Sequence, residues 1–551
     1  MQELKIIPLG GLTEIGLNCT VFEYGNQAII VDAGLMFPEE NMLGVDIVIP
    51  DFSYILENAD KFKGIVVTHA HEDHVGAIPY LLRDLNLPIY ATRLTLGLLK
   101  KKIEEFKLPN VKYHEITAKK IFSIGPFTIE PLRVTHSIVD CVALAIRTPV
   151  GVVMHTGDFK IDYTPVDEKP FDMTSFCRYG QEGLLLLLSD STNATVPGFT
   201  PSERVLEDVF QRIFSQSKGR ILAVTFASNV HRVQQIVNVA QKFKRNVCLT
   251  GRSIVQNALI AQELGYFKAP EEMMIKEENI DMYPDDRLVI VTTGSQGEPL
   301  SGLSRIALGE HKRIKVKPTD TIVISAKAIP GNQRAIARIV NMLMRRGAEV
   351  LHEENSDVHV SGHASQEELK FMLMTCKPKY FVPIHGDYIK RFTHTRIARK
   401  MGISPSSIFL LDNGDILHLS KEKIYASGSV TAGRMFVDGR EIGEVGDVVL
   451  RDRMRLSKDG VCMVFVVLNK TTGDLISGPD VIMKGVTYEN MSQELMDETS
   501  SMARNLIINQ TGVDMRTNQF ELKKKIRKAI NRFLYKKLMR NPIVLPVVME
   551  V

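Results

Sequence analysis

Cysteine is scarce and scattered. The six cysteines stand at 19, 141, 177, 248, 376 and 462, with no C-x-x-C pair among them. That spacing argues against a disulfide framework and a thiolate zinc site, and it fits a reducing, cytoplasmic environment. No apolar run approaches the length that spans a bilayer; Leu184–Leu188 is far too short, so no membrane role is expected. The first residues, Met1-Gln2-Glu3-Leu4-Lys5, lack the basic-then-apolar pattern of a secretory signal, and none is expected. Charge of one sign is not in excess either: 68 Lys and Arg against 64 Asp and Glu give +4. A histone-like binder is thereby excluded, although a local basic groove is not. Also missing are G-x-x-x-x-G-K-[ST], G-x-G-x-x-G and G-x-S-x-G, which removes a P-loop, a dinucleotide fingerprint and the common hydrolase serine elbow. There is no internal repeat and no low-complexity tract.

What is present is an ordinary globular composition, 44% apolar and 24% charged over 551 residues, enough for about three or four domain-sized units. The N-terminal third reads as short strands. Cys19–Tyr24 and Gln27–Val31 are joined by Gly25-Asn26, a hairpin signal. Further strands are expected over Gly64–Thr68, Phe127–Val134, Val142–Arg147, Gly151–His155 and Leu184–Ser189, with a helix over Val75–Leu85. This mixture suggests sheets covered by helices. In the middle third a helix is expected over Pro201–Phe214. Strands at Arg220–Ala227, Asn246–Thr250, Leu288–Thr292 and Thr321–Ser325 then alternate with helices at Val230–Phe243, Ser253–Leu264 and Arg334–Arg346. That rhythm predicts a second α/β unit with a parallel sheet. Ile408–His418 returns to strand and turn. The last ~90 residues read as a small separate domain, with a strand at Val461–Leu468 and a helix at Glu489–Ile508. Residues 523–540 are rich in Lys and Arg with no acidic residue, and Ile526, Ile530, Phe533, Leu534 and Leu538 follow helical spacing. Two readings stand for this helix: an apolar stripe packed on its own domain, or a face offered to RNA or a partner.

The chemistry concentrates in Thr68-His69-Ala70-His71-Glu72-Asp73-His74, directly after an apolar strand. In an extended loop, residues two apart face the same side, so His69 and His71 can share one cation. Asp73 and His74 lie where the chain turns into a helix and face a neighbouring point, so one loop can serve two metals. Packing these polar groups together without a cation would be costly. Two metals need further ligands. His136, Asp158 and His385 each follow an apolar strand and supply candidates. Histidines and carboxylates without thiolates suit zinc or manganese, and the sequence does not choose between them.

This set resembles the metallo-β-lactamase superfamily, in which a carboxylate such as Asp158 bridges two metals and a residue such as Asp32 steadies the histidine loop. The interval from Asp158 to His385 is 227 residues, room for a whole inserted domain. That is similar to the β-CASP nucleases. Ser189-Asp190-Ser191-Thr192 resembles their acidic motif and Val360-Ser361-Gly362-His363-Ala364 their histidine motif, while His385 is the residue typical of RNA-processing members. Leu9-Gly10-Gly11, Glu14-Ile15-Gly16, Phe226-Ala227-Ser228-Asn229, residues 293–299, His359-Val360-Ser361-Gly362-His363 and Leu545-Pro546-Val547-Val548 resemble the ribonuclease J family across nearly the full chain.

The resemblance implies an αββα sandwich at 1–200 and 365–450, a β-CASP α/β domain at 201–364 and a C-terminal α/β domain at 451–551. It implies hydrolysis of RNA, 5′→3′ with a preference for a 5′-monophosphate, and internal cleavage as well, in RNA maturation and mRNA decay. His69, His71 and His136 would hold one metal and Asp73, His74 and His385 the other, with Asp158 between them. His363 would assist the leaving oxygen or the transition-state phosphate, and Asp190 would orient a group of the site. Ser228, Asn229, Val230, His359, Val360, Ser361, Gly362 and His363 become candidates for the 5′-phosphate pocket. Ser228 also reads as a plain helix N-cap. Arg232, Lys312, Arg313, Lys315 and Lys317 are candidates for a basic channel taking single-stranded RNA. The resemblance further implies a homodimer or homotetramer, an association with a paralogous subunit or other RNA-decay proteins, and, in some members, a structural calcium, for which Asp46 and Asp447 are candidate ligands. A small-molecule metallohydrolase would not need the long insertion, a DNA-repair nuclease would tend to lack His385, and a noncatalytic scaffold should have lost ligands; none is lost here.

Overall fold

A computed structural model describes residues 2–39, 42–298, 300–329, 332–439, 441–443, 447–487, 489–509 and 519–551. The chain divides into two compact units: Met1–Phe37 with Ile47–Met435, and Pro38–Asp46 with Phe436–Val551.

In the first unit, alternating apolar residues build two facing sheets. One has eight strands in the order Ile424–Ser429, Asp415–Leu419, Leu4–Gly10, Cys19–Tyr24, Gln27–Val31, Phe62–Val66, Ile89–Ala91 and Tyr113–Glu115. The other has six: Tyr380–Ile384, Leu186–Asp190, Gly151–His155, Val142–Thr148, Phe127–Arg133 and Phe122–Ile124. Leu4, Ile6, Phe22, Ile29 and Val31 from the first meet Phe127, Ile129, Leu144, Ile146, Leu186 and Leu188 from the second in one apolar core. Helices Met173–Glu182, Gln366–Cys376 and Tyr388–Lys400 cover the outer face of the six-stranded sheet with Phe176, Leu373 and Ala398. Ile78–Asp84 and Arg93–Glu105 follow strands of the eight-stranded one and bury Ile78, Leu81, Leu94 and Leu99. The result is a metallo-β-lactamase αββα sandwich.

The insertion forms a five-stranded, wholly parallel sheet in the order Asn246–Thr250, Leu288–Thr292, Ile221–Val224, Thr321–Ile324 and Glu349–Leu351. Both faces are buried, so its strands read as unbroken apolar runs. Leu222, Val224, Ile290 and Ile322 pack into a core of the insertion's own. Ile221, Ala223, Val289, Val291 and Val323 face the other way and join the core that also holds Met154, Leu187 and Phe381 of the sandwich. The insertion is therefore packed onto the sandwich, not tethered to it.

Two helices differ from expectation. The one predicted over Val75–Leu85 is broken into Glu72–Val75 and Ile78–Asp84. Gly76 lies between them, where a Cβ would come within 2.3 Å of Leu35 Cγ, so the chain bends at the residue that allows the approach. The one predicted from Pro201 begins at Val205, because Glu203 is drawn inward to Arg232, with Oε2 2.7 Å from Nη2. Burial alone would raise the Glu203 pKa, but Arg232 and Lys160 hold it down to about 2. A depressed folded-state pKa stabilises above the unfolded value and loses that contribution as pH falls through the folded one. The contribution, about 3 kcal/mol, should be complete near neutrality and fade from roughly pH 4.5 to pH 2. In denaturant titrations at stepped pH, Glu203→Gln should lose stability near neutrality and converge on the wild type across that window; a constant offset would refute the ion-pair assignment.

In the second unit, Val461–Leu468 lies between antiparallel Leu475–Lys484 and parallel Ile543–Glu550. Helices Glu489–Ile508 and Gln519–Leu538 cover one face, where Ile526, Ile530 and Leu534 are buried with Val464, Val466 and Val548. The apolar stripe of the basic helix thus packs on its own domain. The opposite face pairs Met463 with Leu545, Phe465 with Val547 and Val467 with Met549, and Leu545, Val547 and Met549 are exposed. Asp46 Oδ2 accepts the Gly439 N–H at 2.8 Å; the side chain of Asp447, its expected calcium partner, lies outside the described residues. No helix among the described residues is long and apolar enough to cross a membrane.

Candidate metal centre

The site is made where strands end. His69 and His71 lie in the loop that follows Phe62–Val66, and Asp73 and His74 in the short helix Glu72–Val75 that it enters. His136 follows Phe127–Arg133, Asp158 follows Gly151–His155, Asp190 closes Leu186–Asp190, and His385 follows Tyr380–Ile384. The last two strands are parallel neighbours with Asp190 opposite Ile384, which places the two motifs side by side.

Ligand atoms of His69, His71, His136 and Asp158 lie within 4.8 Å of one another, as do those of Asp73, His74, Asp158 and His385, and those of Asp158, Asp190, His363 and His385. Asp158 belongs to all three groups. His71 Nδ1 stands 3.1 Å from His69 Nε2 and 3.0 Å from His136 Nε2. Burial holds the pKa of His69 well down, that of His71 down to about 4 and that of His136 down to about 3, so three neutral imidazoles converge on one point. At His74 and His385 burial also opposes the charged form. It is outweighed, by Asp158, Asp73 and Asp32 at His74 and by Asp158, Asp73 and Asp190 at His385, which is raised to about 10. Four carboxylates, of which Asp32, Asp158 and Asp190 are buried, demand positive charge here. His385 Nε2 is buried without a hydrogen-bond partner among the described residues, 3.4 Å from Asp73 Oδ2. Converging neutral nitrogens, an unpartnered buried imidazole nitrogen and a nitrogen–oxygen donor set fit two divalent cations.

Neighbouring groups aim the ligands. Asp32, at φ +60°, accepts the Thr68 N–H, the Thr68 hydroxyl and His74 Nδ1–H, each at 2.8 Å, which turns His74 Nε2 toward Asp158 Oδ2 at 3.2 Å. His136 Nδ1–H donates to the Gly362 carbonyl at 2.7 Å, so the inserted segment itself orients a ligand. Gly362 must lack a side chain, since a Cβ would meet the His136 ring at 2.6 Å. His363 Nδ1 stands 2.8 Å from Asp190 Oδ2 and 3.9 Å from Asp158 Oδ2. Burial opposes protonation of His363, but Asp190 raises its pKa above the ordinary histidine value.

The pocket candidates divide. Asn229, not Ser228, caps the helix Val230–Lys242, its side chain accepting the Arg232 N–H at 3.0 Å. Val230 and Val360 are core side chains, because an apolar side chain at such a junction gains more from packing than from facing a phosphate. Ser361 Oγ accepts Asn193 Nδ2–H at 2.9 Å and the His363 N–H at 3.2 Å, which leaves its own hydroxyl hydrogen to donate. His359 Nδ1 is buried without a partner among the described residues, and burial with the Arg232 charge lowers its pKa to about 3. Arg232 cannot line a channel, being fully buried on Glu203. Lys317 is engaged with Asp285 at 2.7 Å and Lys315 with the Gly309 carbonyl, while Lys312 and Arg313 are exposed.

Three residues escaped the sequence reading. Asn193 holds Ser361 and also the His363 carbonyl at 3.0 Å; its place one residue beyond the acidic motif was the available signal. Thr200 Oγ1 donates to the same carbonyl at 2.7 Å. Glu368 accepts three backbone N–H groups, from Ile161 at 2.8 Å, Thr200 at 2.7 Å and Ser365 at 2.8 Å.

Family comparison agrees with this geometry. Residues 12–188 match the metallo-β-lactamase superfamily, 218–343 the ribonuclease J β-CASP domain, 349–404 the Zn-dependent metallo-hydrolase RNA specificity domain and 448–551 the ribonuclease J C-terminal domain. The chain is 40% identical to a ribonuclease J of Helicobacter pylori over 544 residues, 98% of this chain and 79% of that one. Identity to a ribonuclease J of Synechocystis is 44% over 500 residues, 90% of this chain and 78% of that one. With ribonuclease J2 of Bacillus subtilis it is 38% over 554 residues, 100% of this chain and 99% of that one. A crystal structure of an Enterococcus faecalis protein of unknown function has the same fold at TM-score 0.55 and 16% identity, over 76% of this chain and 100% of that one. Intact ligand sets, an inserted parallel sheet and full-length likeness converge: the chain belongs to the ribonuclease J family of metallo-β-lactamase-fold hydrolases.

Proposed function

We propose that the chain hydrolyses single-stranded RNA from the 5′ end, prefers a 5′-monophosphate and also cuts internally, acting in cytoplasmic RNA maturation and mRNA decay. The observation that carries the reading is the bond from His136 to Gly362, which fastens the His359–His363 segment directly beside the cation ligands. His69, His71, His136 and Asp158 would hold one zinc or manganese ion, and Asp73, His74, Asp158 and His385 the other. When bound, such a pair lowers the pKa of water and neutralises charge on phosphate oxygens. Asp190 fixes His363 through Nδ1, leaving Nε2 to donate toward the leaving 3′-oxygen or the transition-state phosphate. The hydroxyls of Ser228 and Ser361 and the ring of His359, with Asn229 shaping the turn, offer neutral donors to a phosphate dianion, and a triphosphate would overfill them. RNA labelled at its 5′ end, bearing a mono- or triphosphate, tests this with Mn²⁺ or Zn²⁺. Faster release of labelled mononucleotide from the monophosphate is expected; internal cleavage indifferent to the 5′ end would reject the pocket and keep the hydrolase.

We also propose that the chain self-associates through the exposed sheet face of Leu545, Val547 and Met549. A contiguous apolar ladder of this kind marks an interaction surface. Val547→Asp should shift sedimentation to a smaller species at micromolar concentration, and an unchanged profile would discard this face.

A further inference from the structure

We propose that Arg232 is the positioning residue that sets the register between the 5′-end pocket and the metal centre, and with it the length of the product released. The proposal rests on the 5′-end reading above.

Arg232 is fully buried in the first turn of its helix. Its guanidinium reaches in two directions. Nη2 donates to Glu203 Oε2 at 2.7 Å. Nη1 donates to the Ser325 carbonyl at 3.1 Å, to the Ser325 hydroxyl and, at 3.5 Å, to the Val358 carbonyl. The Ser325 hydroxyl in turn donates to the Val358 carbonyl at 2.5 Å. Val358 immediately precedes the His359–His363 segment, and the Arg232 backbone N–H is the group capped by Asn229. One residue thus holds both halves of the pocket.

From Glu203 the contacts run on into the sandwich at Asp162 and Lys160. The Glu203 N–H donates to Asp162 Oδ2 at 3.1 Å, and Gln235 Nε2–H secures the Glu203 carbonyl at 2.8 Å. Lys160 Nζ lies 3.6 Å from Glu203 Oε1 and donates to the Pro201 carbonyl at 3.1 Å. The Lys160 carbonyl accepts the Thr135 hydroxyl at 2.7 Å. Thr135 adjoins His136, and Lys160 is two residues past Asp158. The chain of bonds therefore runs from the pocket to the segments that carry two cation ligands.

A buried ion pair adds little to stability over an apolar packing of equal volume, so holding a helix in place does not by itself call for an arginine here. Bridging a carboxylate on one side and carbonyls on the other does, because only the planar fork offers donors in both directions. A lysine ammonium keeps the charge and loses the bridge. If the pocket moves relative to the cations, a different phosphodiester reaches them, and a shift of about 1 Å costs up to about 10²-fold in rate.

The test compares wild type, Arg232→Lys and Ser325→Ala on RNA bearing a 5′-monophosphate or a 5′-hydroxyl, with Mn²⁺, reading kcat, KM and product length. Arg232→Lys should lower kcat on the monophosphate RNA roughly tenfold or more, with dinucleotides and trinucleotides joining the mononucleotide. Its kcat on 5′-hydroxyl RNA should fall less than about threefold, since that substrate is not held by the pocket. Ser325→Ala removes one hydroxyl and should show the same change in product length at smaller amplitude, which keeps the test open if Arg232→Lys does not fold. Wild-type product length and rate in both variants would overturn the proposal, as would an equal loss on both substrates, the mark of a merely structural role. A wild type that ignores the 5′ end would instead overturn the pocket reading itself, and the register proposal with it.

Discussion

Asp158→Asn should abolish RNA hydrolysis and remove cations from both sites at once. Asp158 Oδ2 stands 3.7 Å from His69 Nε2, 3.7 Å from His136 Nε2 and 3.2 Å from His74 Nε2, while Oδ1 lies 2.7 Å from His385 Nδ1. An asparagine has one acceptor oxygen in place of two. Its NH₂ would point at a nitrogen cluster that needs a negative neighbour, and the charge that balances His74 and His385 is lost. Cation-assisted polarisation and charge neutralisation are worth several kcal/mol, so the rate should drop by about 10³-fold or more. Elemental analysis of the dialysed, metal-reconstituted protein checks the binding half, and the 5′-labelled RNA time course checks the chemical half. A variant retaining both cations and a rate within tenfold of wild type would remove Asp158 from the shared position.

Glu368→Ala should give the largest loss of stability outside the apolar core, and activity should go with it. The carboxylate is buried at 1% exposure and accepts N–H groups from three separate segments. Ile161 lies just past Asp158, Thr200 lies in the turn that also holds the His363 carbonyl, and Ser365 lies two residues past His363. Truncation leaves three buried donors unsatisfied at about 1–3 kcal/mol each, about 4–6 kcal/mol together after partial relaxation. Denaturant unfolding measures that loss. In the absence of denaturant, the folded variant should still show a raised KM for RNA, because the loop carrying His363 has lost its anchor. Glu368→Gln should fall between, since one amide oxygen can serve Thr200 and Ser365 while its NH₂ opposes the Ile161 N–H. Near-wild-type stability in Glu368→Ala would mean water replaces the carboxylate and the three segments are held elsewhere.

The candidate cation ligands were legible for a local reason. His69, His71, Asp73 and His74 sit within six consecutive residues, and chain geometry alone puts them near one another. His136, Asp158 and His385 were legible because each follows an apolar strand, and strand ends are where a layered fold exposes polar side chains. Strands with a buried face were found close to their true limits, several to the residue: Cys19–Tyr24, Gln27–Val31, Gly151–His155, Asn246–Thr250, Leu288–Thr292 and Val461–Leu468 all stand as expected. The break at Gly76 was not legible, since it depends on Leu35 lying against that turn. Arg232 was misplaced for the same reason: a helix-borne arginine reads as surface until the glutamate that buries it is found. The basic helix of the second unit kept two readings until its apolar stripe was seen packed beneath it.

Hydropathy alternation, turn residues and the crowding of histidine and aspartate are properties of neighbouring residues, and the sequence by itself determined them: the layered α/β class, the inserted parallel sheet and which histidines and aspartates form the candidate cation cluster. Only the tertiary structure decided which nitrogen each imidazole presents, that Gly362 orients His136, that the helix cap is Asn229 and not Ser228, and that Glu368 and Arg232 lock distant segments together. The Asn229 cap apart, which is local, those contacts join residues tens to hundreds of positions apart. Their existence depends on how sheets and helices pack, and no local pattern of residue types encodes that angle and distance.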